Sequence, residues 1–171
     1  MELFPLFLHA LPYGLGLSAL LAAGFVGGMW YNPEIMLNDY PSDVKAAYGP
    51  ARNPNSRRQA LWLGLFLILV VFGVLAAALL SLPPAAGFGE GYWSGLVTIW
   101  TVLMVFNLVD LLLIDFPLVF FQPECFTLPG TQGLKGYTDY SIHVRGFFIG
   151  ALGITLASLA LALIPAGLWL L

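Results

Sequence analysis

Residues 93–115 read WSGLVTIWTVLMVFNLVDLLLID, an apolar run that carries one amide and two carboxylates near its end. The run is long enough to cross a bilayer as a helix, because a crossing needs about 20 mostly apolar residues. An ionisable side chain is costly in hydrocarbon and needs a partner or a function. Asp110, with Asn107 beside it, therefore predicts a buried polar site. Asp115 is interpreted as an acid at the membrane boundary.

The composition of the whole chain is that of a membrane protein. Of its 171 residues, 60% are hydrophobic and only 9% are charged, whereas soluble domains carry about 25% charged residues. The net charge of −3 argues against a nucleic-acid partner, which would require a basic face. Length and composition fit one membrane domain over residues 1–171, with the lipid bilayer as its main surrounding.

Four apolar runs predict an all-α integral membrane protein, built as a bundle of four transmembrane helices. The predicted spans are about 11–31, 60–82, 93–114 and 144–171. Five of the six basic residues fall in the two long connections, after the first and third spans, and Arg145 lies at the start of the fourth span. By the positive-inside rule, both connections are expected to be cytoplasmic and both termini to lie outside the cell membrane.

The first connection contains two patterns that are typical of helix starts. Asn32-Pro33-Glu34 and Pro41-Ser42-Asp43 each combine a cap or turn residue, a proline and an early acid. They predict two short helices lying at the inner membrane interface. Basic residues here would either bind anionic lipid headgroups or only anchor the topology. These residues are Lys45, Arg52, Arg57 and Arg58.

The second connection, residues 116–142, is long, aromatic and interrupted by Pro117, Pro123 and Pro129. An irregular backbone cannot face lipid tails, because its amide groups would stay unpaired. This segment is therefore expected to lie at headgroup level or to fold over the cytoplasmic mouth of the bundle.

Helical spacing predicts a polar cluster that faces this mouth. Asp139 and His143 lie four residues apart and share a face of the fourth helix, while Asn107 and Asp110 share a face of the third. In an α-helix Asp115 lies about 140° around the axis from Asp110, so the two acids are not expected to form a pair. The predicted cluster is Asn107, Asp110, Asp139 and His143, and the further candidates at its edge are Tyr31, Glu34, Asp115 and Arg145.

Small residues form stripes on the first and fourth helices at similar depth. Such stripes let membrane helices approach closely, so the first and fourth helices are predicted to pack together through them. A homo-oligomer or a larger membrane complex, formed through one of the stripes, is the alternative. The glycines concerned are Gly24, Gly27, Gly28, Gly146, Gly150 and Gly153.

Metal binding has little support in the sequence. Asp139 and His143 provide a carboxylate and an imidazole at helical spacing, which is half of a metal site. No second half-site and no cysteine cluster accompany them. No metal and no cofactor are therefore expected.

Three classes of function stay open on this evidence. The first is a non-enzymatic membrane component or complex subunit with a cytoplasm-facing polar cluster. The second is a small proton- or cation-coupled carrier that uses Asp110. The third is a membrane enzyme of the inner leaflet that acts on a lipid-like substrate, although no acid–base–nucleophile set is recognisable.

Overall fold

The structure, a computed structural model, describes residues 2–121 and 124–168, and all regular elements in these ranges are helical. The helices are α1 (Leu3–Tyr31), α2 (Ser42–Tyr48), α3 (Ser56–Leu80), α4 (Phe88–Val109), α5 (Phe116–Phe121), α6 (Tyr140–Leu161) and α7 (Leu163–Leu168). Short 3₁₀ turns occupy Pro33–Met36, Glu124–Phe126 and Lys135–Thr138. The predictions for residues 122–123 and 169–171 lie outside the described residues.

Among the described residues, four helical stretches are long and apolar enough to cross a membrane: α1, α3, Phe88–Phe121 and Tyr140–Gly167. This confirms the predicted all-helical fold with four helices of membrane-spanning length and composition, as in a multi-pass membrane protein. The third stretch, Phe88–Phe121, is called the third membrane helix below. It joins α4 to α5 through a turn at Asp110–Asp115 that is wider than an α-helical turn.

The bundle is organised around the crossing of α1 and α4. Leu17 of α1 and Val102 of α4 are fully buried in the core between these helices. The close approach depends on Gly14, because a Cβ atom there would lie 2.7 Å from the Cβ of Val105. Helix α3 packs on the flank of α1, and α6 packs on the third membrane helix. The outward faces are apolar, as lipid contact requires; Leu69 is 71% exposed and Phe148 is 66% exposed.

The predicted packing of the first helix on the fourth through glycines is wrong. Gly24 and Gly28 face Leu67 and Leu63 of α3, at 2.9 and 2.8 Å from their would-be Cβ atoms. Gly150 of α6 faces Asn107 of the third membrane helix. Helical periodicity shows which residues share a face, but it does not show which neighbour that face meets. The remaining stripe glycines, Gly27, Gly146 and Gly153, have no heavy atom of another segment within 4 Å of a would-be Cβ.

Both long connections lie at one end of the bundle, called the capped end below, and pack against each other there. Tyr40, Val44 and Tyr48 of the first connection form a small apolar core with Leu128 of the second. The Tyr40 hydroxyl donates to the carbonyl of Phe126 at 2.9 Å. The Gly136 amide donates to Asp43 Oδ2 at 2.9 Å. The connections therefore form one folded cap rather than two separate loops.

Glu34 is the polar centre of the first connection and is only 8% exposed. Its carboxylate accepts hydrogen bonds from the Tyr48 and Ser56 hydroxyls and from two backbone amides, those of Arg52 and Asn53. Burial by itself would raise the pKa of Glu34, but these four donors outweigh it and lower the pKa to about 2. Burial and the adjacent Glu34 carboxylate raise the pKa of Tyr48.

Asn32 extends this network to the membrane helices. Its side-chain oxygen accepts from the Glu34 amide, and its Nδ2 donates to Ser56 Oγ and to Gln59 Oε1 at 3.0 and 2.7 Å. The end of α1 and the start of α3 are therefore held together through the Asn32-Pro33-Glu34 segment.

Replacing Glu34 with Gln should lower the free energy of unfolding by roughly 2 kcal/mol, because buried donors lose a charged acceptor. Since folding lowers this pKa from 4.5 to about 2, the stabilisation is complete above pH 4.5 and is lost as the pH falls through the folded value. Unfolding of the detergent-solubilised protein, followed from neutral to acidic pH, measures both effects. Glu90→Gln is the control, because Glu90 is exposed and accepts one backbone hydrogen bond. Equal stability of both variants at every pH would contradict the prediction.

Candidate functional site

A cavity of about 480 Å³ lies beneath the cap. Its walls come from α1, α3, the third membrane helix and both connections, and most of the lining side chains are apolar. Leu63, Gly64 and Leu67 form the α3 wall, opposite Ile114 and Leu118 of the third membrane helix. The acidic and imidazole groups on the lining are Asp39, Asp110, Asp115 and His143.

The cavity reaches well into the predicted hydrocarbon layer. Arg57, at the start of α3, is exposed, and Leu67 lies ten residues further along the same helix. Ten residues of α-helix rise about 15 Å, which is about half the thickness of a bilayer core. A molecule in this cavity would therefore be surrounded mainly by apolar side chains at membrane depth.

The wide turn at Asp110–Asp115 is a single π-helical turn. The Phe116 amide bonds to the carbonyl of Leu111, five residues earlier, instead of to the one four residues earlier. This pattern brings residues five apart onto the same side of the helix. The predicted separation of Asp110 from Asp115 is therefore wrong, and both carboxylates face the cavity. Single π-helical turns within α-helices frequently occur at functional sites.

Asp115 is paired with His143 of α6. Its Oδ1 lies 2.9 Å from His143 Nδ1, and both side chains are partly buried, with 23% and 29% exposure. The interpretation of Asp115 as an acid at the membrane boundary did not foresee this contact, through which the carboxylate joins two membrane helices. The pair also borders a second cavity of about 270 Å³, which Asn107, Asp110, Gly146 and Phe147 help to line.

Asp110 lines both cavities. Within residues 2–121 and 124–168, no hydrogen bond or salt bridge to its carboxylate is present. Its charged neighbours are Asp115 and His143, and the imidazole is already engaged by Asp115. Asp110 is therefore the acid of the cluster that is available to a molecule in the cavity.

Asn107 has a structural contact of its own. Its Nδ2 donates to the Phe147 carbonyl of α6 at 3.1 Å. Gly150 makes room for this amide, because a Cβ at that position would lie 2.8 Å from Asn107 Oδ1. Asn107 thus links the third membrane helix to α6 beside the acidic cluster.

The structure brings Asn107, Asp110 and His143 together as the spacing indicated, but it places Asp139 elsewhere. Asp139 is exposed and caps the start of α6, where its Oδ1 accepts from the Ser141 amide at 3.0 Å. An N-cap residue lies outside the helical repeat, so the periodicity that linked Asp139 to His143 does not extend to it.

The other three candidates lie away from the cavity lining. Tyr31 is 75% exposed, and Arg145 is also exposed. Glu34 is buried within the first connection, where its carboxylate is already saturated with hydrogen bonds.

Among the described residues, no three His, Cys, Asp or Glu side chains are grouped so that they could hold a metal ion. Of the predicted half-site, Asp139 Oδ1 accepts hydrogen bonds from Ser141 and His143 Nδ1 lies 2.9 Å from Asp115 Oδ1.

Comparisons with protein-family models, with curated proteins and with solved structures find no match to this chain. The function is therefore inferred from the geometry of the site.

The Asp115–His143 pair should show energetic coupling in a double-mutant cycle. Asp115→Asn and His143→Gln should give a coupling energy of about 1 kcal/mol or more, because the side chains are in contact and partly buried. Reversible unfolding in mixed micelles measures it. The control cycle combines His143→Gln with Glu90→Gln, because exposed Glu90 is not among the charges that act on His143; it should be additive within about 0.5 kcal/mol. Additivity in both cycles would contradict the pairing.

Proposed function

We propose that this chain is a non-enzymatic integral membrane protein that binds a lipid-like amphiphile in the cavity beneath the cap. The observation that carries the proposal is the distribution of polarity on the cavity walls. Apolar side chains of α1, α3 and the third membrane helix form most of the lining, and the Asp110–Asp115–His143 cluster supplies a localised polar region. This arrangement matches a ligand with an apolar body and one polar end.

The size and composition of the cavity support this proposal. Small-molecule sites typically have volumes of about 300–1,000 Å³ and apolar walls with a few polar groups that fix orientation. The cavity volume of about 480 Å³ falls in that range. Leu63 and Leu67 would contact the apolar body of the ligand, and Asp110 would contact its polar end.

The basic residues support a cytoplasmic location for the capped end. All six lie in or beside the two connections that form the cap, and by the positive-inside rule such segments stay on the cytoplasmic side. Helix α2 would then lie at the inner interface. Lys45, Arg52, Arg57 and Arg58 are exposed there and would attract anionic headgroups.

A second candidate is a proton- or cation-coupled carrier. The Asp110 carboxylate, which accepts no hydrogen bond in the described part of the chain, favours this candidate. A carboxylate at membrane depth, without a hydrogen bond in the described part of the chain, is a feature of ion and proton pathways. Beside Asp110, the Asp115–His143 pair would provide a second group that can exchange a proton.

The carrier would move protons across liposome membranes at a rate that depends on Asp110. Asp110→Asn should abolish the flux of a reconstituted carrier, because an amide cannot exchange a proton as a carboxyl does. A pH-sensitive dye trapped in the liposomes measures the flux. Asp139→Asn is the matched control, since an asparagine preserves the N-cap. Equal rates with wild-type protein, Asp110→Asn and empty liposomes would exclude this candidate.

The binding proposal predicts that filling the cavity will prevent occupancy. Gly64→Leu should remove co-purifying amphiphiles, because Gly64 lines the cavity and a side chain there projects into open space. Mass spectrometry of organic extracts of the purified protein measures the bound molecules. Gly73→Leu is the matched control on the same helix, because Gly73 is exposed and does not line the cavity. Identical extracts from both variants and the wild-type protein would contradict the proposal.

A further inference from the structure

The charge of the cavity lining limits what the polar end of its occupant can be. Three carboxylates, those of Asp39, Asp110 and Asp115, line the cavity together with one imidazole. No lysine or arginine from the described ranges lines it. All six basic side chains are exposed. Among the described lining residues, three carboxylates therefore face a single imidazole.

His143, the one group of the cluster that can carry a positive charge, is already paired with Asp115. His143 Nδ1 lies 2.9 Å from Asp115 Oδ1, so a protonated imidazole would balance that carboxylate. Asp110 then lacks a cationic partner of its own. A carboxylate in an apolar surrounding is costly unless it is paired. An occupant that carries a positive charge would supply the missing partner.

We infer that the cavity binds an amphiphile with a single alkyl chain and an ammonium head, with the ammonium group paired to the Asp110 carboxylate. This inference depends on the proposed binding function and specifies the class of its ligand. The alkyl chain lies against Leu63, Leu67 and Ile114. A phospholipid is disfavoured, because its phosphate would bring a further negative charge to the acidic lining.

The geometry fits such a molecule in two respects. Asp110 faces the cavity from the π-helical turn, so its carboxylate can be reached from within the cavity. The α3 wall at Gly64 has no side chain, and no other heavy atom lies within 4 Å of a would-be Cβ there. Space for the chain is therefore available next to the α3 backbone at Gly64.

Photolabelling with matched probes tests the inference. The full chain is placed in phosphatidylcholine nanodiscs and labelled with diazirine-bearing dodecylamine, dodecanol or dodecanoate. These probes differ only in the charge and type of the head group. Peptide mapping then quantifies labelling of the cavity walls at Leu63, Leu67 and Ile114, and of the lipid-facing Leu69 as a reference for probe in the bilayer.

The amine should label the cavity walls about tenfold more than either other probe, after normalisation to Leu69, because a charge-assisted hydrogen bond is worth about that factor. Asp110→Asn should reduce amine labelling to the level of the alcohol. Asp110→Glu should retain most of the preference. Asp139→Asn should behave as the wild type, because Asp139 is exposed and lies outside the cavity lining. Thermal unfolding verifies that each variant is folded.

Two results would overturn the inference, and they differ in what they imply for the proposed function. If the three probes label the cavity walls equally, or if the carboxylate probe is preferred, the ammonium assignment is wrong while amphiphile binding stands. If no probe labels the cavity walls above the level at Leu69, both the ligand class and the binding function are wrong. The comparison among probes on wild-type protein decides the question even if a variant fails to fold.

Discussion

A carboxylate in an apolar helix needs a partner within the protein, and the pairing of Asp115 with His143 meets this requirement. The pair joins the third membrane helix to α6 at the capped end. It depends on the π-helical turn, which brings Asp115 to the side of the helix on which Asp110 lies. Because His143 is engaged in this way, Asp110 is the acid of the cluster without a salt bridge in the described part of the chain. The presence of both Asp110 and Asp115 on the cavity lining therefore depends on a single helical turn that contains one residue more than an α-helical turn.

The cap contains two acids that accept hydrogen bonds within it, buried Glu34 and exposed Asp43. Glu34 gathers four donors, and Asp43 bonds across to the Gly136 amide of the second connection. Glu34 and Asp43 lie outside the membrane helices and both accept hydrogen bonds. Asp110 lies within a membrane helix, and its carboxylate has no hydrogen bond or salt bridge in the described part of the chain.

The architecture could be predicted from the sequence because the length of an apolar run directly reports a membrane crossing. Helical spacing also indicated that Asn107, Asp110 and His143 face one region. The prediction from helical spacing was wrong at Asp115 and Asp139, because it assumed an unbroken α-helical repeat. Asp115 lies in a π-helical turn, and Asp139 is an N-cap. The packing predicted from the glycine stripes was wrong for a different reason: the packing of the whole bundle decides which neighbour a helix face meets.

The depth of the cavity has a consequence for how its occupancy is controlled. Its walls lie along membrane-spanning segments of α1, α3 and the third membrane helix, and the folded cap covers one end. An amphiphile that fits such walls partitions into the bilayer before it meets the protein. Occupancy would then follow the mole fraction of the ligand among the lipids, rather than its concentration in water. At a fixed total amount of ligand, added inert lipid would therefore lower the occupancy by lowering that mole fraction.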